Sequence, residues 1–353
     1  MALTPEGRRL TEEHRRAQQQ VRDDFLAEFI VLWALLDSAR LDETGPSWVR
    51  AVMNLIRLYR DQSARLSTAY YWAFREAELP AIGVEPSTPP DIPRAELVED
   101  EPDDEESSPR PERRRRGARL EIPRRPSSLE IPEPRRSRVR FDLDEDSLRG
   151  DRRRGRVIFE VPEINWERED RAAEISLNVL GPIGQKEKTK RGQRLEEARD
   201  NSFVQSSGAA SRSVFTGGRR SLMRLAEDDM QFVGYIRVTD GNPCAFCAML
   251  ASRGPVYPSK GAAGMRSNES LGEHRKRVRR MFEGAGAFKV HDHCACTIEP
   301  VYSTDTEWPG RAREFRQLWD DHIKGKYSGA EARREWRRLY ERLQREARRQ
   351  EIA

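Results

Sequence analysis

The chain has 353 residues, of which 36% are hydrophobic and 35% charged, and its formal net charge is +4. This low apolar share excludes one uniformly packed globule and indicates small cores beside a stretch that buries little. No apolar run is long enough to cross a membrane, and the first residues lack the apolar core of a signal peptide. We therefore expect a protein without a membrane partner, folded in a reducing cytoplasm.

Residues 1–80 are predicted to form a long helical hairpin. Thr4 and Pro5 are typical of a helix start, and apolar residues then recur every three or four positions. The segment DETGPS at 42–47 predicts the turn between the two helices, and Pro80 predicts the end of the second. The hairpin has little core of its own, so we expect it to dock on another element.

Residues 81–156 are rich in proline, and their charges separate into an acidic block followed by an arginine block at 110–140. Recurring prolines and scarce apolar residues predict a disordered charged linker. A solvated spacer is one interpretation of this linker. The other is that its arginines contact packaged DNA or an acidic protein face.

Residues 157–305 are predicted to form a helical domain with a small β-hairpin, and residues 306–353 a C-terminal segment of amphipathic helices. The fold class is therefore α+β, mostly α. In the C-terminal segment, Trp336, Leu339, Tyr340 and Leu343 form one apolar stripe, which we interpret as a docking face for this chain or a partner. The elements predicted in the domain are a strand at 158–161, helices at 165–180, 186–206 and 274–282, a break at 216–218, and strands at 235–238 and 297–301.

All four cysteines lie close together in the sequence, as Cys244-Ala-Phe-Cys247 and Cys294-Ala-Cys296, with His291 three residues before the second pair. A C-x-x-C on a turn and a C-x-C in extended chain can each aim two sulfur atoms at one centre. Pairing of the strands at 235–238 and 297–301 would bring both pairs together.

Soft ligands converging on one centre predict a structural zinc site with four ligands drawn from Cys244, Cys247, His291, Cys294 and Cys296. His293 is a weaker candidate, because in a regular strand it would point away from Cys294. Free buried thiols and late disulfides are the alternatives. A nucleophilic Cys/His pair is disfavoured by the other cysteines nearby, and a thioredoxin-like site by the lack of a surrounding βαβ pattern.

The stretch RVTDGNPCAFCAMLASRGPVY, with VHDHCACTIEPVY about forty residues on, resembles the MuF-type minor head proteins of tailed phages, especially those of actinobacteriophages. The positions that carry the resemblance are Cys244, Cys247, His291, Cys294, Cys296 and the Pro300-Val301 end of the second strand. It covers roughly residues 160–305, more loosely 1–80, and has no counterpart for the linker.

The resemblance implies a minor capsid protein of the virion, assembled in the host cytoplasm, that acts in head morphogenesis and genome delivery. Its implied partners are the portal and the major capsid protein, and no small-molecule substrate is expected. The resemblance also implies a gene beside those of the portal and capsid, and some proteins encoded there are described as capsid maturation proteases, which is the catalytic alternative. Ser213, Ser221 and His274 are present, but their spacing in the sequence matches no recognisable Ser-His-Asp catalytic set. A nucleic-acid-binding module is a further alternative.

Overall fold

The computed structural model describes residues 2–85, 161–257, 269–282, 288–303, 308 and 311–352. The described part is mostly helical with one small antiparallel sheet, so the predicted α+β, mostly α, class is confirmed. None of its helices combines the length and the apolarity needed to cross a membrane. In chain order the elements are α1 (Pro5–Trp33), α2 (Leu41–Glu78), α3 (Glu167–Leu180), α4 (Pro182–Lys190), α5 (Leu195–Asp228), β1 (Gly234–Val238), α6 (Ala245–Ala251), α7 (Leu271–Phe282), β2 (Thr297–Val301), α8 (Ala312–His322) and α9 (Gly329–Ile352).

The N-terminal hairpin is present, and its first helix begins as predicted, since the Thr4 hydroxyl oxygen accepts the Gly7 N–H at 2.9 Å. The predicted turn at 42–47 is wrong, because the chain reverses at 34–40 and α2 already starts at Leu41. Asp42 and Glu43 occupy the first turn of α2, where negative charge stabilises a helix. Pro46 lies one turn further in and removes a single backbone hydrogen bond there.

The predictions for α5 are wrong in two respects. The helix predicted at 186–206 is interrupted after Lys190, where Gly192 adopts a positive φ of 88°, and a new helix starts at Leu195. The predicted break at 216–218 is absent, because α5 continues to Asp228. Gly217 and Gly218 face α2, and a Cβ on them would collide with the Arg60 carbonyl and the Ser67 hydroxyl. These glycines therefore permit close helix packing.

The core of the N-terminal half lies where α1, α2 and α5 meet. Phe29 and Trp33 of α1 contact Trp48 of α2 and Phe203 of α5, with ring centroids 5.3 to 6.2 Å apart. Such aromatic packing buries a large apolar area per side chain. The hairpin therefore docks on α5 of its own chain.

The strands predicted at 235–238 and 297–301 are confirmed as β1 and β2, which pair antiparallel with Val238 opposite Thr297. Helix 165–180 is confirmed as α3, and helix 274–282 as α7. Of the strand predicted at 158–161, only Val161 is described, and it has no regular structure. Most of the predicted linker, from residue 86, lies outside the described residues.

The C-terminal stripe docks on the short helix that follows β1. Trp336 and Tyr340 of α9 are buried together with Phe315 of α8 against Ala248 and Met249 of α6. The docking face predicted for this stripe therefore meets the same chain.

Candidate metal centre

The β1–β2 pair brings the two cysteine pairs to one end of the sheet. Cys244 follows β1 and caps α6, and its sulfur accepts the Cys247 N–H at 3.4 Å. Cys296 directly precedes β2, and the turn before it is closed by a hydrogen bond from the Cys294 N–H to the His291 carbonyl at 3.2 Å. The convergence predicted from strand pairing is therefore present.

The five predicted ligands form two overlapping triads that share Cys247, and we call them together the Cys/His cluster. One triad is Cys244, Cys247 and His291, and the other is Cys247, Cys294 and Cys296. Within each triad the donor atoms lie within 4.8 Å of one another. All four cysteines are free thiols, and Cys244 is the exposed one.

The distances between donor atoms suit a tetrahedral zinc ion. With Zn–S near 2.3 Å and Zn–N near 2.0 Å, two sulfur ligands lie about 3.8 Å apart, and sulfur and nitrogen about 3.5 Å. The Cys247 and Cys294 sulfurs are 3.6 Å apart, and His291 Nε2 lies 3.0 Å from the Cys244 sulfur and 3.3 Å from that of Cys247. A small expansion of the cluster would admit the ion.

His291 is held in the ring orientation that a metal ligand needs. Its Nδ1–H donates to the Asp292 carbonyl, so that Nε2 is the ring nitrogen directed at the Cys244 and Cys247 sulfurs. Phe246 packs edge-on against the imidazole ring, with centroids 5.7 Å apart, and fixes the ring plane. Such an outer hydrogen bond is usual for histidines that bind metal.

His293 anchors the loop before Cys294 to helix α5. It has a φ of 62°, its N–H donates to the Gly208 carbonyl at 3.3 Å, and its Nε2–H donates to the Val204 carbonyl at 2.9 Å. The ring is therefore turned to α5 and away from the sulfur atoms. A side chain on Gly208 would collide with this ring, so the glycine allows the loop to dock.

Two buried arginines surround the cluster. Arg219 of α5 donates to the Cys294 and Cys296 carbonyls at 2.6 and 3.1 Å. Arg237 of β1 donates to the Lys289 carbonyl at 2.6 Å, places Nη1 4.0 Å from the Cys294 sulfur, and stacks its guanidinium 3.8 Å above the Phe288 ring. No carboxylate among the described side chains forms an ion pair with either arginine. Burial lowers the pKa of both guanidinium groups, and the charges of Cys247, Cys294 and Cys296 counteract it, so these sulfur atoms are the countercharge that the described residues offer.

This countercharge fits a metal–thiolate centre. Three thiolates and one imidazole around Zn²⁺ leave one net negative charge, and four thiolates leave two. Burying a cation without a partner costs several kcal/mol, so two buried guanidinium groups require nearby negative charge. The arginines and a zinc–thiolate centre would therefore stabilise each other.

In the metal-free cluster two thiols have lowered pKa values and two have raised ones. Hydrogen bonds with Cys244 and Cys294 raise the pKa of Cys247, and the pKa of Cys296 is raised because the hydrogen bond with Cys247, which lowers it, is outweighed by the one with Cys294 and by burial. A hydrogen bond from Cys247, together with one from His291, lowers the pKa of Cys244 to about 4. Hydrogen bonds from Cys247 and Cys296, and then the charges of Arg219 and Arg237, lower the pKa of Cys294. The hydrogen bond to Cys244 raises the pKa of His291 to about 9.

The reasoning from sequence did not identify the arginines. A signal for Arg237 was available, because it lies in the otherwise apolar strand Gly234–Val238, of which every residue is buried. An arginine in an all-buried strand requires an anionic partner, and the neighbouring cysteines are the obvious source. Arg219 had no comparable signal, because α5 approaches the cluster only through the tertiary fold.

The residues considered for a catalytic set are engaged elsewhere. His274 is fully buried, its Nε2–H donates to the Ala226 carbonyl at 3.1 Å, and its Nδ1 accepts from Arg277 at 2.7 Å. The Ser213 hydroxyl donates to the Ala209 carbonyl at 3.1 Å, one turn back in α5, and Ser221 is fully buried. Neither ring nitrogen of His274 is available to take a proton from a serine.

Comparisons with known proteins place this region among phage proteins. A family model described as VG15 protein matches residues 184–322, which include the whole Cys/His cluster and exclude α9. The Gene 15 protein of Mycobacterium phage D29 is 30% identical over 131 residues, covering 32% of this chain and 46% of the relative. That of Mycobacterium phage L5 is 34% identical over 137 residues, covering 31% and 45%.

The chain thus spans less than half the length of these curated relatives. No solved structure matches it significantly. The similarities support a phage protein of the kind found in actinobacteriophages.

Proposed function

We propose that this protein is a minor capsid protein of a tailed phage, in which the Cys/His cluster holds one structural zinc ion. It acts in head morphogenesis and genome delivery, beside the portal or the major capsid protein. The resemblance to MuF-type minor head proteins supports the role, and the similarity to mycobacteriophage proteins supports the phage origin.

The observation that carries the structural role of the cluster is its enclosure by buried protein groups. Cys247, Cys294 and Cys296 are each 2% exposed, and the buried side chains of Arg219 and Arg237 stand beside them. A catalytic zinc site keeps one coordination position open to substrate, whereas a structural site is closed by four protein ligands. Five candidate ligands around one centre favour the closed kind.

Two cavities of the described part agree with a structural rather than a catalytic metal site. A cleft of about 370 Å³ lies between residues 38–43 and α4, and no member of the Cys/His cluster lines it. A second cavity, lined by Cys296 and Arg219, has a volume of about 10 Å³ and is therefore water-sized. Neither offers a substrate access to the sulfur atoms.

Quantitative mass spectrometry of gradient-purified virions tests the role. We expect the intact chain in virions at a small, constant ratio to the major capsid protein. Absence of the chain from virions and proheads alike would contradict the proposal. Co-expression with the major capsid protein tests the protease alternative, and capsid cleavage abolished by Ser213→Ala or Cys247→Ala, but preserved by His293→Ala, would establish it in place of the structural role.

A further inference from the structure

The outer face of α9 presents a row of arginines, most of which no described carboxylate neutralises. One face of this helix is buried on α6 and α8 through Trp336 and Tyr340. The opposite face spans about 22 Å of helix, at 1.5 Å per residue. Its exposed basic residues are Arg334, Arg337, Arg338, Arg342, Arg345, Arg348 and Arg349.

Few carboxylates compensate this charge. Arg338 pairs with Glu335 at 2.6 Å and Arg337 with Glu341 at 3.8 Å, whereas the other five arginines of the face form no ion pair with a described side chain. Helix α7 shows the contrast, because its Arg275 and Arg279 pair with Asp228 and Glu227 of α5 at 2.6 and 2.9 Å. The basic charge of α7 is thus largely satisfied within the chain, and that of α9 is directed outward.

The last part of α9 extends beyond its docking contacts. Residues 345–350 are exposed on every side of the helix. The last hydrogen bonds to the body of the described fold come from Gln344, which donates to the Asn242 side chain and the Pro243 carbonyl. A helical end that packs on none of the described residues of its own chain gains little stability from them. The arginines on it are therefore accessible to a partner.

We propose that this face of α9 binds the phosphate backbone of double-stranded DNA. Guanidinium groups bind phosphate oxygens in bidentate fashion, and regular spacing along a helix suits a regular polyanion. A protein partner is less favoured, because stable protein interfaces are centred on apolar or aromatic anchors. Between Arg334 and Arg349, the outward positions hold arginine and glutamate and no such anchor.

The inference does not depend on the metal or on the phage head role, since it rests on α9 alone. It also differs from the linker hypothesis, because the arginines at 110–140 are a separate segment of the chain. Binding through phosphates predicts little preference for sequence and a steep dependence on salt.

The test measures the affinity of the full chain for a short, fluorescently labelled DNA duplex of mixed sequence, by anisotropy, over a series of salt concentrations. The test variant replaces three arginines of the α9 face, as Arg342→Gln, Arg345→Gln and Arg349→Gln. The matched control removes the same charge from exposed arginines on other helices that form no ion pair with a described side chain, as Arg8→Gln, Arg50→Gln and Arg171→Gln.

We expect the test variant to bind about tenfold or more weakly at low salt, and the slope of log affinity against log salt to become shallower by about three. The control should lose much less in both measures. Equal affinities and slopes for wild type and test variant would overturn the inference. So would a test variant that keeps its DNA affinity and instead loses binding to portal or capsid protein. Circular dichroism verifies that both variants retain their helices.

Discussion

Cys247 is the residue on which both triads of the cluster depend, because its sulfur lies close to His291 Nε2 and to the Cys294 sulfur at once. Cys247→Ser should therefore reduce bound zinc to a small fraction of an equivalent and lower the melting temperature by several degrees. His293→Ala is the matched control, since it removes an imidazole only two residues from His291 whose ring is bonded to the Val204 carbonyl and not to a sulfur atom. Zinc content by elemental analysis that is equal in the two variants would contradict the assignment.

His14 links stability to pH independently of the metal. It is buried, stacks on Tyr70 with centroids 4.2 Å apart, and contacts the Ser67 hydroxyl at 3.0 Å. Burial lowers its pKa from 6.5 to about 3. Below about pH 6.5 the unfolded chain therefore binds a proton at His14, whereas the folded chain does not. The stability that neutral His14 contributes is complete above that pH and is lost as the pH falls towards 3.

The measurement is urea unfolding at several pH values between 6 and 4, for wild type and for His14→Gln. The free energy of unfolding of the wild type should fall by roughly 1 kcal/mol more per pH unit than that of the variant. The cysteines titrate in both proteins, so the difference isolates His14. Parallel curves for the two proteins would show that the ring is not buried in its neutral form.

At the scale of elements, the metal centre and the C-terminal helix form one structural unit. The Trp336 indole N–H donates to the Ala245 carbonyl at 2.6 Å, and the Tyr340 hydroxyl donates to the Pro243 carbonyl at 3.0 Å. These two carbonyls flank Cys244 in sequence. Helix α9 thus holds the turn that positions the exposed cysteine.

Trp336→Ala should detach α9 and loosen this turn. Loss of a buried tryptophan typically costs about 3–5 kcal/mol of folding stability. We therefore expect proteolysis to begin between α8 and α9, and we expect zinc to transfer to a chromophoric chelator about tenfold faster than in the wild type. Arg338→Ala, on the outer face of the same helix, should leave both rates unchanged. Equal chelator rates for Trp336→Ala and wild type would mean that α9 does not support the metal centre.

Local sequence rules located most elements, and they failed where tertiary contacts determine the backbone conformation. The hydrophobic spacing predicted the hairpin, and the alternating strands predicted the convergence of Cys244 with Cys294. Gly217 and Gly218 were interpreted as a break, because glycine weakens an isolated helix, whereas here they admit the Arg60 backbone of α2. Similarly, residues 42–47 were predicted as a turn but form the start of helix α2, where Asp42 and Glu43 stabilise the first turn.

The whole described fold explains why a metal would matter to this chain. The small β1–β2 sheet has two strands of five residues, and an isolated pair of that size is marginally stable in water. Helix α5 and the buried Glu299 connect it to the hairpin, since the Glu299 carboxylate accepts from the Thr11 hydroxyl at 2.6 Å. A zinc ion joining both strand ends would supply folding free energy where the apolar core is thin.

The measurement that tests the account most directly is the zinc content of the purified, dialysed full-length protein, by elemental analysis, with unfolding followed before and after treatment with a chelator. We expect about one zinc per chain, and a loss of thermal stability when the chelator removes it. Less than about half an equivalent of zinc, or an unfolding transition that chelation leaves unchanged, would contradict the structural metal centre.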